Sequence, residues 1–244
     1  MSRFFVPKEF IKGNSIYITG VEAHHILDVM RLKVSDEVVV FDGTGTEYAG
    51  IVKAADRRSL EVLIKSRRVS SAGRTPSITL VQAITKKDKM DYIAEKATEL
   101  GVSRIVPVTT ERTIPEWSDA KKAGIVERWR KIAQEAAKQC GRSDIPEISP
   151  ITEFRDAIDP TAAVGELKLI AVLSDKAIKL KDVLKNNNCK NIVIAIGPEG
   201  DFTQGEAEDA LKAGFKIVNL GPLTLKSDTA GLAALSMINY EYKS

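Results

Sequence analysis

The residues best placed to do chemistry lie late in the sequence, where three apolar runs stop abruptly. "LKLIAVL" (167–173) ends on Ser174-Asp175, "NIVIAIG" (191–197) on Pro198-Glu199-Gly200, and "FKIVNLG" (215–221) on Pro222. Runs this short and rich in β-branched residues read as buried strands. In parallel α/β sheets, ligands bind beyond the carboxyl ends of the strands. Glycine at such an end lets a ligand approach the backbone. Exposed N–H and C=O groups can then read an adenine or ribose edge without any side chain. The same spacing also fits ordinary strand-to-helix turns.

A second constellation follows in "LTLKSDTAGLAAL" (223–235). Ser227 is placed to cap a helix, and Asp228 sits in its first turn, where the helix dipole favours a carboxylate. Lys226, Asp228 and Thr229 are candidates to face the same pocket as Glu199. Elsewhere the chemistry is sparser. Cys140 has no histidine in its half of the chain to activate it and is expected to be a buried thiol. Arg142, beyond the end of a long helix, is placed to grip a phosphate or carboxylate. His24 and His25 lack the acidic or cysteine companions of a metal site. Neither GxGxxG after a strand nor GxxxxGK[ST] occurs, which argues against a dinucleotide-binding dehydrogenase or a P-loop enzyme. "DGTGTE" (42–47) reads as a hairpin turn.

Two folded parts are needed to position these residues. The 244 residues are 43% apolar and 28% charged, with a net charge of +3. That is enough for a real core, with only a slight lean toward anionic partners. Two isolated cysteines fit a reducing compartment, and the short apolar N-terminus resembles neither a signal peptide nor a span; a cytoplasmic protein is expected. Residues 1–70 read as a small β module with strands at 15–19, 37–43, 48–55 and 60–66 and one helix over 21–32. "SRRVSSAGRTPS" (66–77) reads as a linker. From residue 76 to 244, strands at 78–84, 104–108, 167–173, 191–197 and 215–221 alternate with helices at 88–102, 119–142, 178–187, 204–213 and 227–241. This alternation predicts an α/β domain with a mainly parallel, doubly covered sheet. Basic residues at Lys86, Lys87 and Lys89, and from Arg57 to Arg68, form a split footprint that suits RNA.

Five stretches resemble one family. "IGPEGDFTQGE" (196–206) is similar to the IGPEGG-F-[ST]-x-x-E signature of RsmE-type 16S ribosomal RNA uridine-N3 methyltransferases of the SPOUT superfamily. "LGPLTLKSDTA" (220–230), "QAITKKDKMDYIAEKATELGVSRIVPVTTERT" (82–113), "QCGRSDIPEI" (139–148) and "HHILDVMRLKVSDEV" (24–38) resemble further family segments, in the family's order. Asp201 stands where the family carries a second glycine, and Leu223 where many members carry Arg. Lys226 and Asp228 stand where they carry Arg and Glu.

The resemblance implies a PUA-like β-barrel that holds RNA, followed by a SPOUT domain threaded as a trefoil knot. It implies a homodimer acting on 16S rRNA of the 30S subunit, without metal or membrane. S-adenosylmethionine is the implied cofactor, cradled by Leu173, Ile196, Gly197, Gly200, Leu220, Leu225 and Thr229. Catalysis is expected from Lys226 or Arg142 acting on the uracil oxygens, with Glu199 or Asp228 orienting that cation or accepting the N3 proton. Arg3, Arg31, Lys86 and Lys89 are the expected RNA contacts. A SPOUT methyltransferase with another RNA target, and a ribosome-assembly factor without catalysis, are the alternatives.

Overall fold

The computed structural model describes residues 3–69, 76–85, 89–113, 117–159 and 167–243. The chain divides into two compact units. One is Met1–Ala72 with Gln134–Ile145; the other is Gly73–Ala133 with Pro146–Ser244.

The first unit is built on β1 (Arg3–Phe5), β2 (Ile11–Lys12), β3 (Ser15–Thr19), α1 (Gly20–His24), β4 (Glu37–Phe41), β5 (Thr46–Asp56) and β6 (Ser59–Val69). The strands form one sheet in the order β1-β4-β5-β6-β3-β2. All pairings are antiparallel except β1 with β4. Ile16 and Ile18 alternate with exposed neighbours, so one face of β3 enters a core shared with Phe4, Val38, Val40 and Val62. The helix expected over 21–32 is shorter. α1 gives way to a π-helical turn at His25–Val29, and Arg31 adopts a left-handed backbone (φ 55°) that cannot continue it. "DGTGTE" is the turn joining antiparallel β4 and β5, with Gly43 and Gly45 at positive φ. The Asp42 carboxylate accepts from the Thr44 and Thr46 amides at 2.8 and 3.2 Å. The first residues of the expected linker are strand instead: β6 continues through Val69, which pairs with Thr46, and residues 70–75 lie outside the described residues.

Residues 134–145 belong to this first unit, although nothing in their sequence separates them from the second domain. Lys138 pairs with Glu22 at 2.9 Å. Arg3 pairs with Glu47 and donates to the Arg142 carbonyl (3.2 Å) and the Ser143 hydroxyl (3.4 Å).

The second unit contains β7 (Ser77–Ala83), α2 (Lys89–Glu99), β8 (Arg104–Thr109), α3 (Asp119–Cys140, whose last turns lie in the first unit), β9 (Glu147–Ile148), β10 (Thr152–Glu153), α4 (Phe154–Ile158), β11 (Leu167–Ala171), β12 (Ile178–Lys179), α5 (Leu180–Lys185), β13 (Asn191–Ile196), α6 (Gln204–Lys212), β14 (Lys216–Asn219) and α7 (Ser227–Lys243). Its strands are all parallel, ordered β10-β8-β7-β13-β11-β14-β12, with β9 beside β8. Strand periodicity divides the core in two. Leu80, Ile105, Leu169 and Ile194 join the face covered by α2, α3 and α7, while Val81, Val106, Ile170 and Val193 join the face covered by α4 and α6. The α/β expectation therefore holds, down to the two-sided burial that makes these strands continuous apolar runs. α2 stops at Gly101, which takes φ 84°. α6 begins with a capping box, Thr203 and Glu206 bonding each other's backbone amides. Trp129 is buried, and its indole donates to Asp91 at 3.1 Å. Cys140 corrects an expectation: it ends α3 as an exposed thiol, and Cys189 is the buried one.

Candidate active site

β13, β11 and β14 are sequential neighbours in the sheet, and their ends are level. Ala171 is opposite Ile196 on one side and Val218 on the other. All three chains therefore leave the sheet at one height. Where they diverge lies a cavity of about 260 Å³, walled by Ala171–Leu173 side chains, Ile196, Gly197, Leu220, Gly221 and Leu225. Its lining is mostly aliphatic side chain and bare backbone, with Glu199, Asp201 and Lys226 supplying charge. Gly221 sits at φ 140° with open space around it, so glycine is required there by conformation rather than by crowding.

The Gly-Pro-Glu-Gly turn is held from several directions. The Ser227 hydroxyl donates to the Gly197 carbonyl at 2.5 Å and accepts from the Gln82 amide at 3.0 Å. The Pro198 carbonyl accepts from the Asp201 amide at 3.0 Å. Arg112 donates to the Gly200 carbonyl at 2.5 Å, and Lys89 pairs with Glu199 at 3.1 Å. Asp201 accepts from the Leu173 amide at 3.0 Å. Parts of β7, α2, the segment after β8, the end of β11 and the start of α7 thus all converge on residues 197–201. A turn that a sheet ends on in this way is a fixed frame around a cavity, which is what a backbone-read ligand requires.

Gly197 has a more specific cause than access for a ligand. A Cβ there would lie 3.1 Å from both the Phe202 ring and the Phe202 amide nitrogen, and 3.2 Å from Asp201 Oδ1. A side chain at 197 would strike the folded-back turn rather than project into the cavity. At Gly200 a Cβ would meet the Arg112 stem at 3.2 Å.

Of the cofactor residues expected from the sequence, Leu173, Ile196, Gly197, Leu220 and Leu225 line the cavity, whereas Gly200 and Thr229 do not. Gly200 sits against Arg112 instead. Of the expected catalytic residues, Glu199 and Lys226 line it. Lys226 is exposed and makes no ion pair among the described residues. Asp228 lies on the first turn of α7, and its Oδ1 is buried without a hydrogen-bond partner. Arg142 departs from expectation. It belongs to the first unit, its side chain is 1% exposed, and it grips Asp144 at 2.5 Å, so it is not free to take an anion. Ser227 likewise serves as a strut between Gln82 and Gly197.

The expected RNA contacts are also redistributed. Arg3 is committed to Glu47 and to the backbone of Arg142. Lys89 is committed to Glu199. Arg31 is exposed, and Lys86 lies outside the described residues. The sequence reading missed Gln82, Arg112 and the bridging role of Asp201. Gln82 left a signal, as the polar residue inside the apolar run of β7, where it is 0% exposed. No described group of His, Cys, Asp and Glu side chains could hold a metal ion, and no described helix is long and apolar enough to cross a membrane.

Comparison with known proteins places this arrangement. An RNA methyltransferase domain matches residues 73–239, and an RNA methyltransferase PUA domain matches residues 18–65. Ribosomal RNA small subunit methyltransferase E of Bacillus subtilis is 26% identical over 99% of this chain and 97% of its own. The protein of the same name from Synechocystis is 31% identical over 97% of this chain and 77% of its own. The crystal structure of ribosomal RNA small subunit methyltransferase E from Neisseria gonorrhoeae, bound to S-adenosyl methionine, superposes with a TM-score of 0.85 at 31% identity, covering 98% of this chain and 97% of that one. With a PUA domain leading into a parallel sheet whose strand ends frame a backbone-lined cavity, the chain belongs to the family of RNA methyltransferases that includes ribosomal RNA small subunit methyltransferase E.

Proposed function

We propose that this protein transfers a methyl group from S-adenosylmethionine to N3 of a uridine in 16S rRNA of the small ribosomal subunit. The observation that carries the reading is the cavity at three level strand ends, framed by the Gly-Pro-Glu-Gly turn. Its residues fit the cofactor. Leu173, Leu220 and Leu225 offer aliphatic surface to a purine, glycine backbone offers close approach, and Glu199 brings negative charge to a cationic ligand. When bound, S-adenosylmethionine supplies an activated methyl on a sulfonium, so the protein needs no nucleophile of its own.

The remaining work falls to side chains. Uridine N3 is on the pairing edge and bears a proton, so the base must be unpaired, held in line and deprotonated. Lys226, charged and exposed at the cavity rim, stabilises the negative charge that develops on the uracil oxygens. Asp228, with an unpartnered buried oxygen, is the acceptor available for the N3 proton or for orienting Lys226. Glu199 is engaged by Lys89 and serves the frame. Arg142 has no part in this step. Arg31 remains the expected RNA contact of the first unit. Homodimerisation, the knotted threading and a cytoplasmic location belong to the same proposal.

The test is transfer of labelled methyl to 30S subunits lacking N3-methyluridine, with the product mapped by mass spectrometry. A single N3-methyluridine in the small-subunit RNA is expected. Lys226→Ala should cut turnover by roughly a hundredfold, the scale of losing one group that stabilises developing charge, while cofactor binding stays near wild type. Loss of cofactor binding with normal turnover at saturation would refute the role given to Lys226.

A further inference from the structure

Within the Gly-Pro-Glu-Gly-Asp turn, the left-handed backbone belongs to Asp201 (φ 63°) rather than to either glycine. Aspartate tolerates this region better than most residues because its short side chain can bond the local backbone. Asp201 does so: Oδ1 accepts from the Phe202 amide at 2.8 Å. Its second oxygen has a different function. Oδ2 accepts at 3.0 Å from the amide of Leu173, which lies 28 residues earlier and just beyond the end of β11. The carboxylate therefore spans from the turn after β13 to the segment after β11. Both of its ends line the cavity, since Asp201 and Leu173 are wall residues. Leu173 needs such an anchor: the residue is 68% exposed, and the ladder of β11 ends two residues earlier at Ala171.

We propose that Asp201 is a positioning residue for the cofactor cavity, a carboxylate latch that fixes the spacing of two cavity walls before the cofactor arrives. An unlatched Leu173 segment would have to be ordered by the incoming ligand, and that ordering would weaken binding; a preset wall avoids it. The inference rests on the S-adenosylmethionine reading, and it differs from a generic structural role by acting on affinity rather than on the chemical step.

The test uses the full-length protein with Asp201→Gly, which relaxes the backbone and removes the latch, and Asp201→Asn, which tolerates the left-handed backbone and keeps one acceptor oxygen. Three quantities are measured: amide hydrogen exchange at Leu173 in the ligand-free protein, calorimetric affinity for S-adenosylmethionine, and kcat and KM. In Asp201→Gly, Leu173 exchange should quicken and affinity fall about tenfold, the scale of one charge-assisted hydrogen bond. KM for the cofactor should rise with it, and kcat at saturation should move far less. Asparagine has one acceptor oxygen for the two amides, so in Asp201→Asn affinity should fall only as far as Leu173 exchange quickens. Wild-type affinity in Asp201→Gly would overturn the proposal. So would an Asn variant that binds weakly while its Leu173 exchange keeps the wild-type rate, since charge rather than the latch would then be the cause. If the wild-type protein itself failed to bind S-adenosylmethionine, the cofactor reading would fall, and Leu173 exchange alone would still decide whether the latch exists.

Discussion

Gly231→Ala separates two principles that give opposite signs. Gly231 lies within α7, where replacing glycine by alanine ordinarily stabilises by about 0.5–1 kcal/mol. Here the new Cβ would lie 2.8 Å from Gln82 Oε1, with Leu80 methyls at 3.7 Å. Gln82 has little room to yield. It is 0% exposed, and its amide nitrogen donates to the Ala83 carbonyl at 3.1 Å and to Ser227 at 3.0 Å. Displacing it breaks the Ser227 bond and strands a buried donor, at a cost of about 1–3 kcal/mol. Set against the propensity gain, the packing penalty should leave the variant about 1 kcal/mol less stable, near the middle of the roughly 0–2.5 kcal/mol difference between those two estimates. Its Tm should fall by a few degrees, at about 2–4 °C per kcal/mol for a chain of this size. Urea titration and calorimetry measure this directly. The attribution to Gln82 is checked by repeating the substitution in a Gln82→Ala background, where the cost should vanish and the helix gain reappear. A stabilised single variant, or an equal loss in both backgrounds, would refute the reasoning.

Other outcomes follow from the same contacts. Ser227→Ala removes the donor to the Gly197 carbonyl and the acceptor for Gln82; stability should fall by about 1–3 kcal/mol and cofactor affinity with it, both readable in one calorimetric series. Burial works against the Asp42 charge, but bonds from Thr44, Thr46 and Tyr48 outweigh it and hold the carboxyl below its ordinary 3.8. Its contribution is therefore complete above that value and is lost as pH falls through the lowered one, so the stability gap between wild type and Asp42→Asn should narrow as the pH is taken below 3.8 in acid-titrated urea melts. Burial and the Cys189 thiol push the Tyr242 phenol up to about 12. Its phenolate should appear in an ultraviolet titration well after those of exposed tyrosines, and Tyr242→Phe, which forfeits the 2.6 Å bond to the Asn187 carbonyl, should cost about 0.5–1.5 kcal/mol.

The long strands and helices were legible because burial writes itself into local pattern. β3 begins and ends where its alternation does, and β7, β11 and β13 match their apolar runs to within two residues. The two-residue strands β9, β10 and β12 carry no period to read, since pairing with a neighbour is all that defines them. The reach of β6 through its basic end was hidden for the same reason: Ser66–Val69 look like linker until β5 is placed beside them. At the site, the strand ends were legible and the side-chain roles were not. Ser227 reads as a cap because capping is a local preference, but its partners are 30 and 145 residues away. Arg142 reads as a free cation although Asp144 is only two residues away, because the burial that commits it to that partner is set by the tertiary environment. Asp201 looked like a departure from a glycine pattern, and only the structure shows the Leu173 amide it reaches.

The inclusion of residues 134–145 in the first unit has a consequence for biosynthesis. On the ribosome, the β module is translated first but lacks its last segment, including the Arg142 carbonyl and Ser143 hydroxyl that Arg3 bonds. Roughly 70 further residues must emerge before that segment is available, a wait of about 4–15 s at ordinary elongation rates. During that interval the nascent β module stands unfinished while most of the strands destined for the second sheet are still untranslated. A truncated chain ending at residue 72 would remain in that state permanently, so the natural unit of independent folding here is defined by space and not by a single cut in the sequence.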